Sequence, residues 1–227
     1  MSDRPTAVAF DVNETLFSLE RMGERLADAG LADGALQIWF TRVLRDGLAL
    51  AATGDYHPFR ALAAGHLAHL LDAEGLDADV HRVDAVLSHF AELDAQPDAE
   101  PALRRLREEG LPVVTLTNGH AETVGAMLEH ARLDGLVDAR LSVDEVGLWK
   151  PRPEPYHMAA RHLGVEPRRL ALVSVHSWDI HGANRAGLVT GYANRMEGSF
   201  LPGFEEPDVS GAELVEVVDG LLALPPA

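Results

Sequence analysis

The chain contains no cysteine. That excludes a disulfide framework, a zinc–thiolate site and a cysteine nucleophile, and it fits a reducing cytoplasm. Basic residues are scarce beside acidic ones, 19 Lys and Arg against 36 Asp and Glu, for a net charge of −17. A surface of that sign cannot displace counterions from phosphates and repels anionic lipid, so neither nucleic acid nor a membrane is expected as partner. No stretch approaches the roughly 20 apolar residues of a membrane span. Met1 to Pro5 is polar, and the apolar run after it is too short for a signal peptide. There is no glycine-rich dinucleotide loop, Walker loop, internal repeat or low-complexity run. These absences leave a soluble cytoplasmic chain of 227 residues, long enough to bury roughly 70–75% of its unfolded surface without staples.

The stretch that organises the chain is Ala7-Val8-Ala9-Phe10-Asp11-Val12-Asn13-Glu14-Thr15-Leu16-Phe17. A short apolar run ending in a carboxylate reads as a buried parallel strand that delivers Asp11 at its carboxyl end, where open α/β sheets bind their ligands. From Leu16 to about Asp94 the period becomes helical. Ser18 caps one helix that closes at Gly30, and Asp33 starts another carrying Trp39, Phe40 and Val43. Two more run over Pro58–Leu71 and Val80–Leu93. After Ala95-Gln96-Pro97-Asp98 helices alternate with short apolar strands: Pro112–Leu116, Ala139–Ser142, Leu170–Ser174 and Leu188–Tyr192. Alternation of this kind means βαβ units and a parallel sheet. The expected fold is therefore a Rossmann-like α/β core, residues 1–16 and 96–227, interrupted after its first strand by a helical insert, residues 17–95. Phe200 to Pro207 reads as a loop and the Pro225-Pro226 tail as loose.

Four strand ends carry polar clusters: Asp11 to Thr15, Thr117-Asn118-Gly119-His120, Lys150-Pro151, and Ser174 to Asp179. In a parallel sheet they converge on one edge and supply a nucleophile, anion-binding groups, a balancing ammonium and a base. Two histidine pairs, His66 with His69 and His176 with His181, offer too few ligands for a structural zinc site; the pair on the insert helix reads as surface or packing, and His176 as ligand, pocket wall or filler.

Taken together, these four motifs in this order resemble the haloacid dehalogenase superfamily, over nearly the whole chain, and within it the type II 2-haloacid dehalogenases. The resemblance implies that the helical insert is a cap and that the activity is hydrolysis of a carbon–halogen bond of a small anionic 2-haloalkanoic acid. It implies Asp11 as nucleophile, Lys150 holding it ionised, and Asp179 activating the water that cleaves the ester. Thr15 and Ser174 complete the catalytic set. Val12, Asn13, Thr117 and Asn118 would bind the substrate or the oxyanion, Tyr156 would support the cluster, and His176, Trp178 and the cap residue Phe40 would wall the pocket. No cofactor, no metal and a homodimer are implied.

The branch rests on chemistry. Phosphatases of this superfamily carry a second Asp two residues past the nucleophile to protonate the leaving alkoxide, whereas Asn13 stands here and has no proton to give. In that alternative, a Mg²⁺-dependent phosphatase, the metal would lie among Asp11, Asn13 and Asp179. A third reading is a non-catalytic binding member. The sequence also departs from the dehalogenases: Phe40 follows Trp39 where those enzymes carry an arginine, with Arg42 and Arg45 nearby, and His176 stands where Asn is usual.

Overall fold

Every residue of the first strand, β1 (Ala7–Phe10), is buried. It lies at the centre of a six-stranded parallel sheet in a computed structural model that describes residues 2–226. After β1 the chain leaves the sheet for four helices, α1 (Glu20–Asp28), α2 (Ala35–Thr53), α3 (Phe59–Ala73) and α4 (Val80–Ser88), and a 3₁₀ turn, His89–Glu92. It then alternates through α5 (Ala99–Glu108), β2 (Val113–Thr117), α6 (Ala121–His130), β3 (Ala139–Ser142), α7 (Pro153–Leu163), β4 (Leu170–Ser174), α8 (Ser177–Arg185) and β5 (Val189–Ala193). The closing elements are β6 (Val209–Gly211) and α9 (Leu214–Leu222).

The strand order is β3-β2-β1-β4-β5-β6, all parallel. The winding reverses direction at β1, so the crevice past the carboxyl ends of β1 and β4 is the topological switch point at which such sheets bind ligands. The strand pleat sorts the core. Val8 and Phe10 face one apolar layer with α5, α6 and α9, while Ala7 and Ala9 face a second with α7 and α8. The first layer continues without a break into the helical block through Leu16, Phe17 and Trp149.

The two crossings between sheet and block run side by side. Ser18 N–H donates to Asp94 O at 2.9 Å and Gln96 N–H to Leu16 O at 2.8 Å, with Phe17 bridged to Ala95. A second tie is Trp149. Its indole N–H donates to His57 O at 2.9 Å, its ring stacks on Phe59 with centroids 6.0 Å apart, and it fits over the bare backbone of Gly47.

Three boundaries differ from the sequence expectation. Helix α2 starts at Ala35, not Asp33, after Gly34 takes a left-handed φ of 86° with no side-chain cap. Helix α8 starts three residues early, so Asp179 sits in its first turn and not on a strand end. The pair β6 and α9 carried no expectation: β6 is a three-residue edge strand, only half-buried, and α9 is rich in valine with Gly220 inside it. No helix among the described residues is long and apolar enough to cross a membrane.

The Trp149 socket gives a stability test. A Cβ on residue 47 would lie 2.4 Å from the indole ring, which cannot swing away without losing its bond to His57. Gly47→Ala is expected to lower stability by about 1–3 kcal/mol, seen as a fall in the urea midpoint; an unchanged midpoint would show that the socket is loose.

Candidate active site

The site is built outward from Asp11, the first residue past β1. Its backbone N–H is tied to Val173 O at 3.0 Å, so the carboxylate is anchored to β4 as well as β1. Its two oxygens have different partners. Oδ1 accepts from the Lys150 ammonium at 2.9 Å, and Oδ2 accepts from the Thr15 hydroxyl at 2.7 Å. Thr15 in turn accepts the Val175 N–H at 3.2 Å.

Lys150 arrives from the loop between β3 and α7 and is fully buried. Besides Asp11 it donates to Asp179 Oδ2 at 2.7 Å, so one ammonium is held between two carboxylates. Its backbone N–H donates to Asn118 Oδ1 at 2.9 Å. The remaining oxygen of Asp179 accepts from the Tyr156 hydroxyl at 2.6 Å. Gly182, one turn along α8 from Asp179, leaves room for this approach: a Cβ there would meet Pro151 at 2.4 Å and the Tyr156 hydroxyl at 2.7 Å.

The electrostatics follow from burial and this pairing. Burial pushes the Asp11 carboxyl up, but Lys150, then His176 and the Thr15 hydrogen bond, outweigh it and hold Asp11 below its ordinary range. Asp179 is raised, by burial first and by Asp11 in addition, against the pull of Lys150. Burial lowers Lys150, yet its two carboxylates bring it above the ordinary lysine value. Tyr156 is raised well above the usual phenol by burial and by Asp179, and so stays a donor. Thus Asp11 is held ionised and Asp179 is the more basic carboxylate, with a proton-bearing ammonium between them.

The other expected residues divide. Thr117 Oγ1 accepts the Gly119 N–H at 2.9 Å, and Ser174 Oγ accepts the His176 N–H at 3.1 Å; both hold the turns and neither hydrogen-bonds Asp11. The Val12 carbonyl accepts from Leu16 and Phe17. His176 stacks on Trp178, centroids 5.4 Å apart, with Nε2 3.7 Å from Asp11 Oδ2. The Lys150 ammonium lies 6.0 Å from the Trp178 ring centre. A cleft opens between the helical block and β2–α6. Asn13 and Thr117 line it from the sheet side, and Phe59, Arg60, Ala63 and Phe90 from the block.

Phe40 is a correction. The structure does not bring it to the cleft: it is buried against Trp39 and Phe59, and the rings on the cleft wall are Phe59 and Phe90. Helical spacing identified an aromatic face on the block without saying which ring ends it. Arg45 is engaged with Asp46 at 2.6 Å on the surface, away from the cleft. His66 pairs with Asp46, and His181 accepts the Glu205 N–H, as packing groups.

Three groups were not singled out from sequence. Arg60 is the guanidinium on the cleft wall, paired with Asp84 at 2.8 Å. Arg195, from the end of β5, donates to the carbonyls of Glu14 and Thr15 and to Asp98, clamping the loop past β1. Glu14 itself has φ 65° and turns a mostly buried carboxylate toward His176. The Asp-x-x-x-Thr spacing marks this loop, but nothing in the sequence shows a non-glycine residue in the left-handed region.

An ionised carboxylate at the switch point of a parallel sheet, with a second carboxylate and a shared ammonium behind it, is an arrangement suited to an α/β enzyme. A sequence model of the haloacid dehalogenase-like hydrolase family matches residues 5–187. The (S)-2-haloacid dehalogenase 4A of Burkholderia cepacia is 32% identical over 204 residues, covering 86% of each chain. The haloacetate dehalogenase H-2 of a Moraxella species is 25% identical over 96% of each. The L-2-haloacid dehalogenase of Xanthobacter autotrophicus, solved with chloropropionic acid covalently bound, superposes with a TM-score of 0.85 at 25% identity, covering 95% of this chain and 97% of that one. The chain belongs to the haloacid dehalogenase-like hydrolase family.

Removing the shared ammonium tests the electrostatics. Lys150→Met leaves two buried carboxylates facing each other, and the loss at neutral pH is expected to be about 3–5 kcal/mol. Without the lysine both carboxyls are raised in the folded state relative to the unfolded chain. The folded state then takes up protons first, and stability returns as pH falls. Urea midpoints of the variant that stay flat from pH 8 to 5 would refute the pairing.

Proposed function

We propose that the protein is a metal-independent 2-haloacid dehalogenase, hydrolysing the carbon–halogen bond of a small 2-haloalkanoate to the 2-hydroxy acid through an ester on Asp11. The observation that carries this is the seat of the Lys150 ammonium, 2.9 Å from Asp11 and 2.7 Å from Asp179. That ammonium balances the charge of the two carboxylates without a cation. Phosphoryl transfer needs a metal ion and an acid for the leaving alkoxide. Here Asn13 stands two residues past Asp11 and offers no acid. A halide leaves as a stable anion and needs neither. The bound chloropropionic acid of the Xanthobacter neighbour and the names of the two relatives support the same reading.

In the first step an oxygen of Asp11 attacks the halogen-bearing carbon from behind. A C–O bond forms, the C–X bond breaks and its electron pair leaves with the halide. In the second, water adds to Cγ of the ester and the tetrahedral intermediate collapses to release the 2-hydroxy acid. Asp179, the more basic carboxylate, takes up the water proton. Lys150 hands one to the departing alkoxide, the Lys150–Asp179 pair is restored by transfer between the two, and Asp11 loses the second water proton to solvent. The roles follow position. The backbone at Val12 and Asn13, and Thr117 with Asn118, receive the substrate carboxylate, while Thr15 holds Asp11 Oδ2. Ser174 and Tyr156 hold the turns and Asp179. Trp178, Phe59 and Phe90 form the walls, and Arg60 is the cleft cation that meets the anionic substrate. Residues 17–95 act as the cap, consistent with the paired crossings at Leu16–Ser18 and Asp94–Gln96. A homodimer in the cytoplasm without a cofactor belongs to the same reading.

The deciding assay measures halide release from 2-chloropropionate and phosphate release from small phosphomonoesters, each with and without chelator. Halide release that survives chelation is expected, and Asp11→Asn should reduce it at least about 10³-fold. Chelator-sensitive phosphate release with no halide would replace this reading with the phosphatase.

The pH profile gives a second check. Asp179 works as the base in its ionised form, and its carboxyl is raised. Turnover should therefore fall with acidity on a limb above the ordinary carboxylate range near 4. A limb at or below 4 would mean that Asp179 is not the base that limits turnover.

A further inference from the structure

Glu14 is the one residue of the first-strand loop that neither step above uses, and it is held at a cost. Its φ of 65° is a conformation that residues with a Cβ rarely adopt. The strain is maintained from outside: Arg195 and Gln96 both donate to the Glu14 carbonyl. A glycine would satisfy that backbone freely. What glutamate adds is a carboxylate, largely buried, with Oε2 3.5 Å from His176 Nε2.

His176 Nε2 faces three oxygens and no donor: Asn13 O at 3.3 Å, Glu14 Oε2 at 3.5 Å and Asp11 Oδ2 at 3.7 Å. An imidazole nitrogen among acceptors carries its proton; at rest the Nε2–H is within reach of Asn13 O and stands beside Asp11 Oδ2. The stacked Trp178 ring, 21° from coplanar, fixes the imidazole plane. The oxygen it faces is Oδ2, the one held by Thr15 and opposite the Lys150 side.

We propose that the His176 Nε2–H, positioned by Glu14, is with the Thr15 hydroxyl the donor pair for the oxyanion formed on Asp11 Oδ2 when the ester is hydrolysed. The inference rests on the dehalogenase reading and deepens it. Water oxygen bonds to Cγ, the carbonyl π pair moves onto Oδ2, and the water proton goes to Asp179. Collapse re-forms the C=O bond and breaks the bond to the alkoxide, which is protonated from Lys150; the second water proton, left on the new Asp11 carboxyl, passes to solvent and restores the carboxylate. At 3.7 Å the Nε2–H makes no full hydrogen bond to the resting carboxylate, and it closes on Oδ2 only as charge concentrates there. A donor that gains contact in the transition state accelerates the step, whereas one already bound in the ground state does not. The two halves of the reaction thus use different donors: Lys150 acts on the Oδ1 side and His176 with Thr15 on the Oδ2 side.

Rapid-quench kinetics with 2-chloropropionate separate the steps, reading the halide burst against steady-state turnover while intact mass follows the ester on Asp11. For His176→Leu, turnover is expected to drop about 100-fold and at least ten-fold further than the burst, with the ester accumulating. His176→Gln, which restores an N–H at the Nε2 position, should recover ten-fold or more of that loss. Glu14→Gly should slow ester hydrolysis with a urea midpoint no lower than wild type, a combination that a purely structural glutamate would not give. Burst and turnover falling together, or Gln no better than Leu, would overturn the donor role. Wild-type protein that releases no halide and forms no ester would overturn the dehalogenase reading and this inference with it.

Discussion

A single ammonium held between two buried carboxylates sets the terms for the rest of this structure. Lys150 cannot be buried alone, and neither can Asp11 and Asp179 be buried against each other. Each becomes tolerable through the other two, and the elements that carry them are thereby fixed in relation to one another: the end of β1, the loop after β3 and the first turn of α8. Tyr156 and Asn118 take up what hydrogen-bonding capacity the trio leaves. The same arrangement holds the carboxylate at the sheet switch point ionised, while burial, and Asp11 beside it, raise the basicity of Asp179. Stability and reactivity are here two readings of one charge arrangement.

Around that trio the loop past β1 is clamped from several directions. Thr15 reaches Asp11, Val175 reaches Thr15, and Arg195 and Gln96 take the carbonyls. So many bonds on one short loop are what allow a strained residue such as Glu14 to persist. The site is thus asymmetric about Asp11: an ammonium and a buried base on one oxygen, neutral donors and a second carboxylate on the other.

The sheet was legible because its strands are apolar runs with polar ends, a pattern written into local residue order. Asp11, Lys150 and Asp179 were legible for the same reason, each following an apolar strand or a turn signal. The closing β6–α9 unit was not: its strand is too short to show a period, and its helix is dominated by valines that read equally well as strand. The cleft wall was only half legible. Helical spacing shows that Trp39 and Phe40 face inward, but whether an inward ring ends in the core or in the cleft depends on how α2 and α3 pack, which no local pattern encodes. Phe40 was therefore misplaced, and Phe59 and Arg60, the first two residues of α3, were overlooked. Glu14 was invisible for a further reason: its importance lies in a backbone dihedral imposed by Arg195, nearly two hundred residues away along the chain.

The neighbour of Lys150 points the opposite way and has a different consequence. The helical block enters and leaves the sheet at adjoining points, an arrangement that would let one block be exchanged for another with little disturbance of the strands. Trp149 restricts that freedom. It projects from the sheet domain into a socket made by Gly47, His57 and Phe59, so a grafted block must bring a matching hole or leave an indole exposed beside the nucleophile's lysine. In this chain, exchange of the block is therefore filtered by a single ring, and a block without the socket does not fit however well its two ends join.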